Sequence, residues 1–204
     1  VTDLAIEHDE PLSKGERTRR AILEAAIARF GRDGFRATSV ADIARDAGVS
    51  GTAAYAYFPN KEALFVAAVD EDAAAVIRSG LTDVIEDPGI EDWRRTLIFT
   101  LVDAVEGHPL ARRLLAGQEP GVTDRVMDIP ALAEVRKACA DRIRTDQLAG
   151  LVRPDIDPTA VGNGVVAIVL SLLMSLLQVG PAAAVAYGAD VAAVFEAALA
   201  PPRR

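Results

Sequence analysis

The sequence predicts an all-α protein. Three observations carry that prediction. Apolar residues recur at three- and four-residue spacing through most of the 204 residues. No segment sustains the alternation of β-branched residues between turn signals that marks a strand. Helix-start residues stand before several of the periodic runs. The chain is 50% hydrophobic and 5% aromatic, long enough for one large domain or two small ones with a core that needs no disulfide or metal. The single cysteine, Cys139, cannot pair within the chain, which fits a reducing compartment.

The elements follow in order. Ser13-Lys14-Gly15-Glu16 forms a capping box, and Ile22, Ala26 and Phe30, with Leu23 and Ile27 beside them, give a first helix an inward face. It ends near Asp33-Gly34. A short second helix spans Ser39 to Ala47, with Val40, Ile43 and Ala44 inward and Gly48 as its stop. A third starts after Ser50 as N-cap and runs to Tyr57. Pro59-Asn60 breaks the chain, and a fourth helix, capped by Asn60, runs through Leu64, Phe65 and Val69 toward residue 80. Two short helices about a tight glycine turn, packed on a longer one, make a helix-turn-helix unit.

Asp87-Pro88-Gly89 reads as a turn. Helices are then expected at 91–107, with Trp93, Leu97, Leu101 and Val105 on one side, at 110–118 after the His108-Pro109 break, and at about 131–149, stopped by Gly150. Asp157-Pro158 is an N-cap followed by proline at the first helical position. From Pro158 to Ala189 no residue is charged. The helix expected there, 158–179, is nominally long enough for a bilayer, but Asn163, Ser171, Ser175 and Gln178 interrupt it and no Lys/Arg cluster flanks it. A helix buried on all sides is the better reading. With a last helix at 182–199, it suggests a two-fold subunit interface over about 158–199.

Charge is unevenly distributed. Residues 1–13 hold four acids and no Lys or Arg, residues 14–61 hold nine basic and five acidic residues, and residues 62–204 hold 13 basic and 21 acidic ones. The net −8 of the chain, which by itself argues against a phosphate-rich partner, therefore hides a module of net +4 that coincides with the helix-turn-helix. Three parts are expected: an acidic arm (1–13), a basic helix-turn-helix module suited to DNA (14–61), and an acidic body that carries the subunit interface (62–204). Val1 to Glu10 lacks the basic and apolar regions of a signal peptide. Arginine far outnumbers lysine, which suits a GC-rich bacterial genome, and the expected location is the cytoplasm.

The residues from 14 to 65 also carry a resemblance. Arg17-Thr18-Arg19-Arg20-Ala21-Ile22-Leu23-Glu24-Ala25-Ala26, Phe30…Gly34-Phe35, Thr38-Ser39-Val40-Ala41-Asp42-Ile43-Ala44, Ala47-Gly48-Val49-Ser50 and Tyr55-Ala56-Tyr57-Phe58-Pro59-Asn60-Lys61-Glu62-Ala63-Leu64-Phe65 closely resemble the N-terminal domain of tetracycline-repressor-type (TetR family) transcriptional regulators. The resemblance implies a regulator that binds a near-palindromic operator as a homodimer and responds to a small molecule held by its C-terminal helices. It implies phosphate contacts at Thr38, Ser39, Tyr55, Tyr57 and Lys61, chemistry that hydroxyls and helix-start amides can supply. Tyr55 has a competing role in the core and Thr38 as a cap. Ser50, the cap of the recognition helix, is implied to contact DNA as well, and the positions implied to face base edges are Ala41, Gly51, Thr52, Ala53 and Ala56. Alanine and glycine cannot make bidentate bonds to a base, so reading is expected to rest on thymine methyls, Thr52, close backbone approach and DNA shape, with Arg17, Arg19 or Arg45 as auxiliaries.

For the effector, composition offers Trp93, Phe99, Leu101, Leu115, Met127, Val169 and Met174 as an apolar lining, with Ser171 and Ser175, and also Asn163 and Gln178, as polar contacts. The competing role for the two serines is to bond back to carbonyls four residues earlier. A mostly hydrophobic effector is expected, and release from DNA is the usual direction in this family, although some relatives work the other way. No catalytic residues, cofactor or metal are expected: the two histidines lie at 8 and 108, and no HExxH, P-loop or Gly-x-Ser-x-Gly motif occurs.

Overall fold

The computed structural model describes residues 13–90, 92–119, 121, 126 and 128–201. Most of the acidic arm, and Met127, lie outside them. Among the described residues ten helices follow one another, α1 (Lys14–Ala37), α2 (Val40–Asp46), α3 (Gly51–Tyr57), α4 (Lys61–Arg78), α5 (Leu81–Glu86), α6 (Trp93–Glu106), α7 (Pro109–Leu115), α8 (Leu132–Leu148), α9 (Pro158–Val179) and α10 (Pro181–Leu199). No strand occurs among the described residues.

The N-terminal module is held together by local chemistry. The Ser13 hydroxyl accepts from Glu16 N–H at 3.2 Å and the Glu16 carboxylate accepts from Ser13 N–H at 2.8 Å, completing the capping box. Ser39, Ser50 and Asn60 accept in turn from the third backbone N–H of α2, α3 and α4. The turn between α2 and α3 closes on Gly48 at φ +69, with Val49 N–H donating to Ala44 C=O at 2.9 Å. Ile22, Phe30, Ile43, Ala54 and Leu64 are fully enclosed beneath it, and the rings of Phe30 and Phe35 meet Phe65 edge-on, each at 4.9 Å. The expected end of the first helix near Gly34 appears as an interruption: Gly34 takes φ +82, and helical backbone resumes for one further turn.

Two features depart from the sequence expectation. The fourth helix stops at Arg78, and Gly80, at φ +103, starts a separate six-residue helix. The boundary expected at 61–62 falls at the start of α4, so the helix belongs to both parts: Leu64, Phe65 and Ala68 are buried near its N-terminal half and Val69, Val76 and Ile77 toward its end.

In the body, α8 and α9 pack closely at Gly162, where an added Cβ would lie 2.9 Å from the Ala140 amide nitrogen. Arg142 of α8 staples the α5–α6 connection by donating to the carbonyls of Ile85, Asp87 and Ile90 at 3.0, 2.7 and 3.1 Å, while pairing with Asp146 at 3.0 Å. The helix expected to be buried on all sides is only partly so within one chain. α9 has a mean hydropathy of 2.2 in its most apolar window, and 33% of that window is buried. By length and composition alone it is long and apolar enough to cross a bilayer.

Candidate nucleic-acid interface and effector cavity

α2 and α3 present a surface of small and hydroxylated side chains. Ser39, Ala41, Ser50, Thr52, Tyr55 and Ala56 are exposed, and Gly51, Ala53, Tyr57 and Lys61 are half-buried. Ala54, the enclosed residue of α3, anchors that helix to the module. Thr38 is set apart: its side chain is buried and its hydroxyl donates to Gly34 C=O at 2.8 Å, so it serves as the C-cap of α1 and does not present its side chain on this face. Tyr55 is 53% exposed, which places it outside the core. Lys61 holds its ammonium 4.4 Å from the Phe35 ring centroid, fixed beside the N-terminus of α4.

Acidic partners occupy part of the module's positive charge. Arg29 donates to Asp46 and so ties α1 to the end of α2, and its guanidinium holds the Asp46 carboxyl below the usual carboxylate range. The Asp42 carboxyl is lowered by the Ser39 hydroxyl and by Arg45, with which it pairs. Arg45 is therefore engaged within α2, whereas Arg19 is exposed with its guanidinium 5.1 Å from the Phe58 ring centroid.

Beneath the module, a cavity of about 70 Å³ lies among α4 to α9. Among the described residues its lining is entirely aliphatic. α4 gives Val69, Ala73 and Val76, α6 gives Leu97, Leu101 and Val105, α7 gives Ala111, Leu114 and Leu115, and α9 gives Val166, Val169, Leu170 and Leu173. Leu101, Leu115 and Val169 were anticipated from sequence. Phe99 is 58% exposed and faces away from the cavity, because two residues from Leu97 is about 200° around a helix. Trp93 is fully enclosed one turn before Leu97, does not line the cavity, and leaves its Nε1 without a partner among the described residues. Ser171 is exposed and donates to Ala167 C=O at 2.8 Å, the self-contained role weighed above. Met174 and Ser175 are half-buried outside the lining, Asn163 is exposed, and Gln178 Nε2 donates to Leu115 C=O at 2.9 Å. Met127 stands outside the described residues, although its neighbours Val126 and Ile129 line the cavity.

The lining from α4, α5 and α8 was not anticipated as a site. Its only signal in the sequence is the apolar stripe of each helix, which does not distinguish a cavity wall from solid core. Cys139 is buried, and burial pushes its thiol up to about 12. Among the described residues no group of three His, Cys, Asp or Glu side chains is placed to hold a metal ion.

The profile of bacterial regulatory proteins of the tetR family matches residues 22–68, which span the helix-turn-helix and the start of α4. The HTH-type transcriptional repressor Rv1474c of Mycobacterium tuberculosis is 30% identical over 172 residues, 79% of this chain and 83% of that protein. The chain belongs to the TetR family. The HTH-type transcriptional regulator RutR of Escherichia coli is 47% identical over 140 residues, 64% of each protein. A repressor from Streptomyces coelicolor, SCO4008, is 31% identical over 111 residues. The chain spans 54% of SCO4008 and 64% of RutR. A solved TetR-family regulator from Mesorhizobium loti shares the fold with a TM-score of 0.69 at 23% identity, covering 93% of this chain and all of that one. TetR-family proteins are DNA-binding transcriptional regulators rather than enzymes.

Proposed function

We propose that this TetR-family protein is a ligand-responsive repressor of the bacterial cytoplasm that binds a near-palindromic operator as a homodimer and is released by a mostly apolar small molecule. The observation that carries the reading is the span of α4: one helix runs from Lys61, beside the DNA-facing surface, to Ala73 and Val76 in the cavity wall. A ligand that requires the wall to move acts on both ends of that helix. The uncovered apolar surface of α9, continuing into α10, supplies the homodimer interface. Dimerisation sets two recognition helices at roughly the 34 Å spacing of successive major grooves.

Because the lining is aliphatic among the described residues, the effector is held by area and shape, at about 25 cal/mol per Å² buried. Linkage of about 1–3 kcal/mol between cavity and DNA corresponds to a roughly 5–150-fold change in operator affinity. Selection of bound duplexes from a random pool by the full chain tests the DNA half of this reading. Enrichment of a near-palindrome bound by two copies supports it, and recovery of unenriched DNA refutes it.

A further inference from the structure

α7 and the residues flanking it meet α1 and α4, and α7 also forms part of the cavity wall. At its start, Asp72 of α4 accepts from Ala111 N–H through Oδ2 and bonds His108 Nδ1 through Oδ1, each at 2.8 Å. There too α1 comes backbone to backbone, with an added Cβ on Gly31 only 2.9 Å from Leu110 N. Beyond its end, Glu119 reaches back: its Oε1 accepts from Arg113 Nε at 2.7 Å and from Phe35 N–H at 3.1 Å. That contact lands on the α1 interruption. Gly34 holds φ +82 there, and a Cβ on it would overlap the Arg113 guanidinium and lie 2.7 Å from Glu119 Oε1. Only glycine admits both the backbone angle and the approach.

The geometry points to Glu119 as the positioning residue through which filling of the cavity is felt by the DNA-binding module. Leu114 and Leu115, at the C-terminal end of α7, line the cavity. The N-terminal end of α7 is held on α4 and α1 and its C-terminal end on α9, through Gln178 and Leu115 C=O at 2.9 Å, so a group that enters the cavity and parts α7 from α9 shifts the C-terminal end, which carries Arg113 and leads into Glu119. The carboxylate passes that displacement to the Phe35 amide. The Phe35 ring in turn lies under the Lys61 ammonium at 4.4 Å and against Phe65 of α4 at 4.9 Å. Glu119 thereby adds a second route to the DNA-facing surface beside α4 itself. This coupling rests on the function proposed above.

The test uses the full chain, the duplex enriched from random DNA, and a cavity filled in two ways, by 1-decanol and by Leu101→Phe. The readout is the ratio of DNA dissociation constants with the cavity filled and unfilled. With Glu119 present the ratio is expected to exceed 5. In Glu119→Ala it is expected to fall below 2. Glu119→Gln keeps an oxygen that can accept from Phe35 N–H, so it should lie between, and it serves as the test variant if the alanine protein does not fold. An equal ratio in parent and variants overturns the proposal, as does a parent that binds the duplex with no response to either filling. A parent that enriches no duplex refutes the DNA-binding reading instead. Amide exchange gives a readout free of DNA: Phe35 should lose protection when 1-decanol binds the parent, and unchanged protection overturns the proposal.

Discussion

Among Ala41, Gly51, Thr52, Ala53 and Ala56, Thr52 alone has a side chain able to hydrogen-bond a base, and its Oγ1 lies 3.1 Å from the Ser50 hydroxyl that caps α3. A single neutral hydrogen bond of this kind is worth about 0.5–1.5 kcal/mol. Thr52→Ala should therefore lower the preference for the enriched duplex over random DNA by roughly two- to tenfold, while affinity for random DNA stays within about twofold. Competition binding measures both, and an equal loss on the two DNAs contradicts the assignment. Cys139 gives a second prediction at this scale. Its folded pKa is raised by burial to about 12, so the folded state favours the protonated thiol. The resulting stability is fully present below the unfolded pKa of about 8.5 and is lost as pH rises through the folded value. At pH 8 the thiol should react with a disulfide reagent only as fast as the protein opens, and immediate full labelling of folded protein would contradict this.

Glycine at a helix contact sets how closely two elements pack. At Gly162 a methyl group would meet the Ala140 backbone at 2.9 Å, and backbone cannot swing aside. Gly162→Ala should destabilise the protein by about 1–3 kcal/mol, read as a lower denaturant midpoint, and an unchanged midpoint would mean that α8 and α9 are not packed as described. This contact also marks the limit of what sequence could supply. Caps at Ser13, Ser39, Ser50 and Asn60 and the stop at Gly48 are chemistry between residues a few positions apart, so the helix-turn-helix could be read directly from sequence. The cavity could be read only in part. Its α9 stripe of Val166, Val169, Leu170 and Leu173 keeps helical spacing, yet composition drew attention to Phe99 and Ser171, which are off the lining. Ser79-Gly80 is a turn-type dipeptide, but a glycine near a helix end does not say that a new helix follows at once; Gly80 at φ +103 opens α5. The meeting of Glu119 with Phe35, 84 residues apart, has no local signature in the sequence.

At the scale of the whole molecule, the charge pattern and the hydrophobic pattern divide the work. Nine basic and five acidic residues make 14–61 the net-positive one of the three parts, and several of its arginines are engaged by carboxylates. The body carries 13 basic and 21 acidic residues, a balance that, on the proposed function, should keep general attraction to DNA low so that binding depends on two modules engaging together. Affinity for the enriched duplex should fall linearly in log–log terms as salt rises, with a slope of about −0.9 for each phosphate neutralised. The most direct test of the central claim, that an aliphatic cavity controls a dimeric DNA reader, is a titration of the preformed protein–duplex complex with 1-decanol, followed by fluorescence anisotropy. The account predicts release of the duplex, with operator affinity reduced roughly 5–150-fold at saturation and with release abolished in a variant whose cavity no longer admits the alcohol. Retention of the duplex at saturating, demonstrably bound 1-decanol would contradict it.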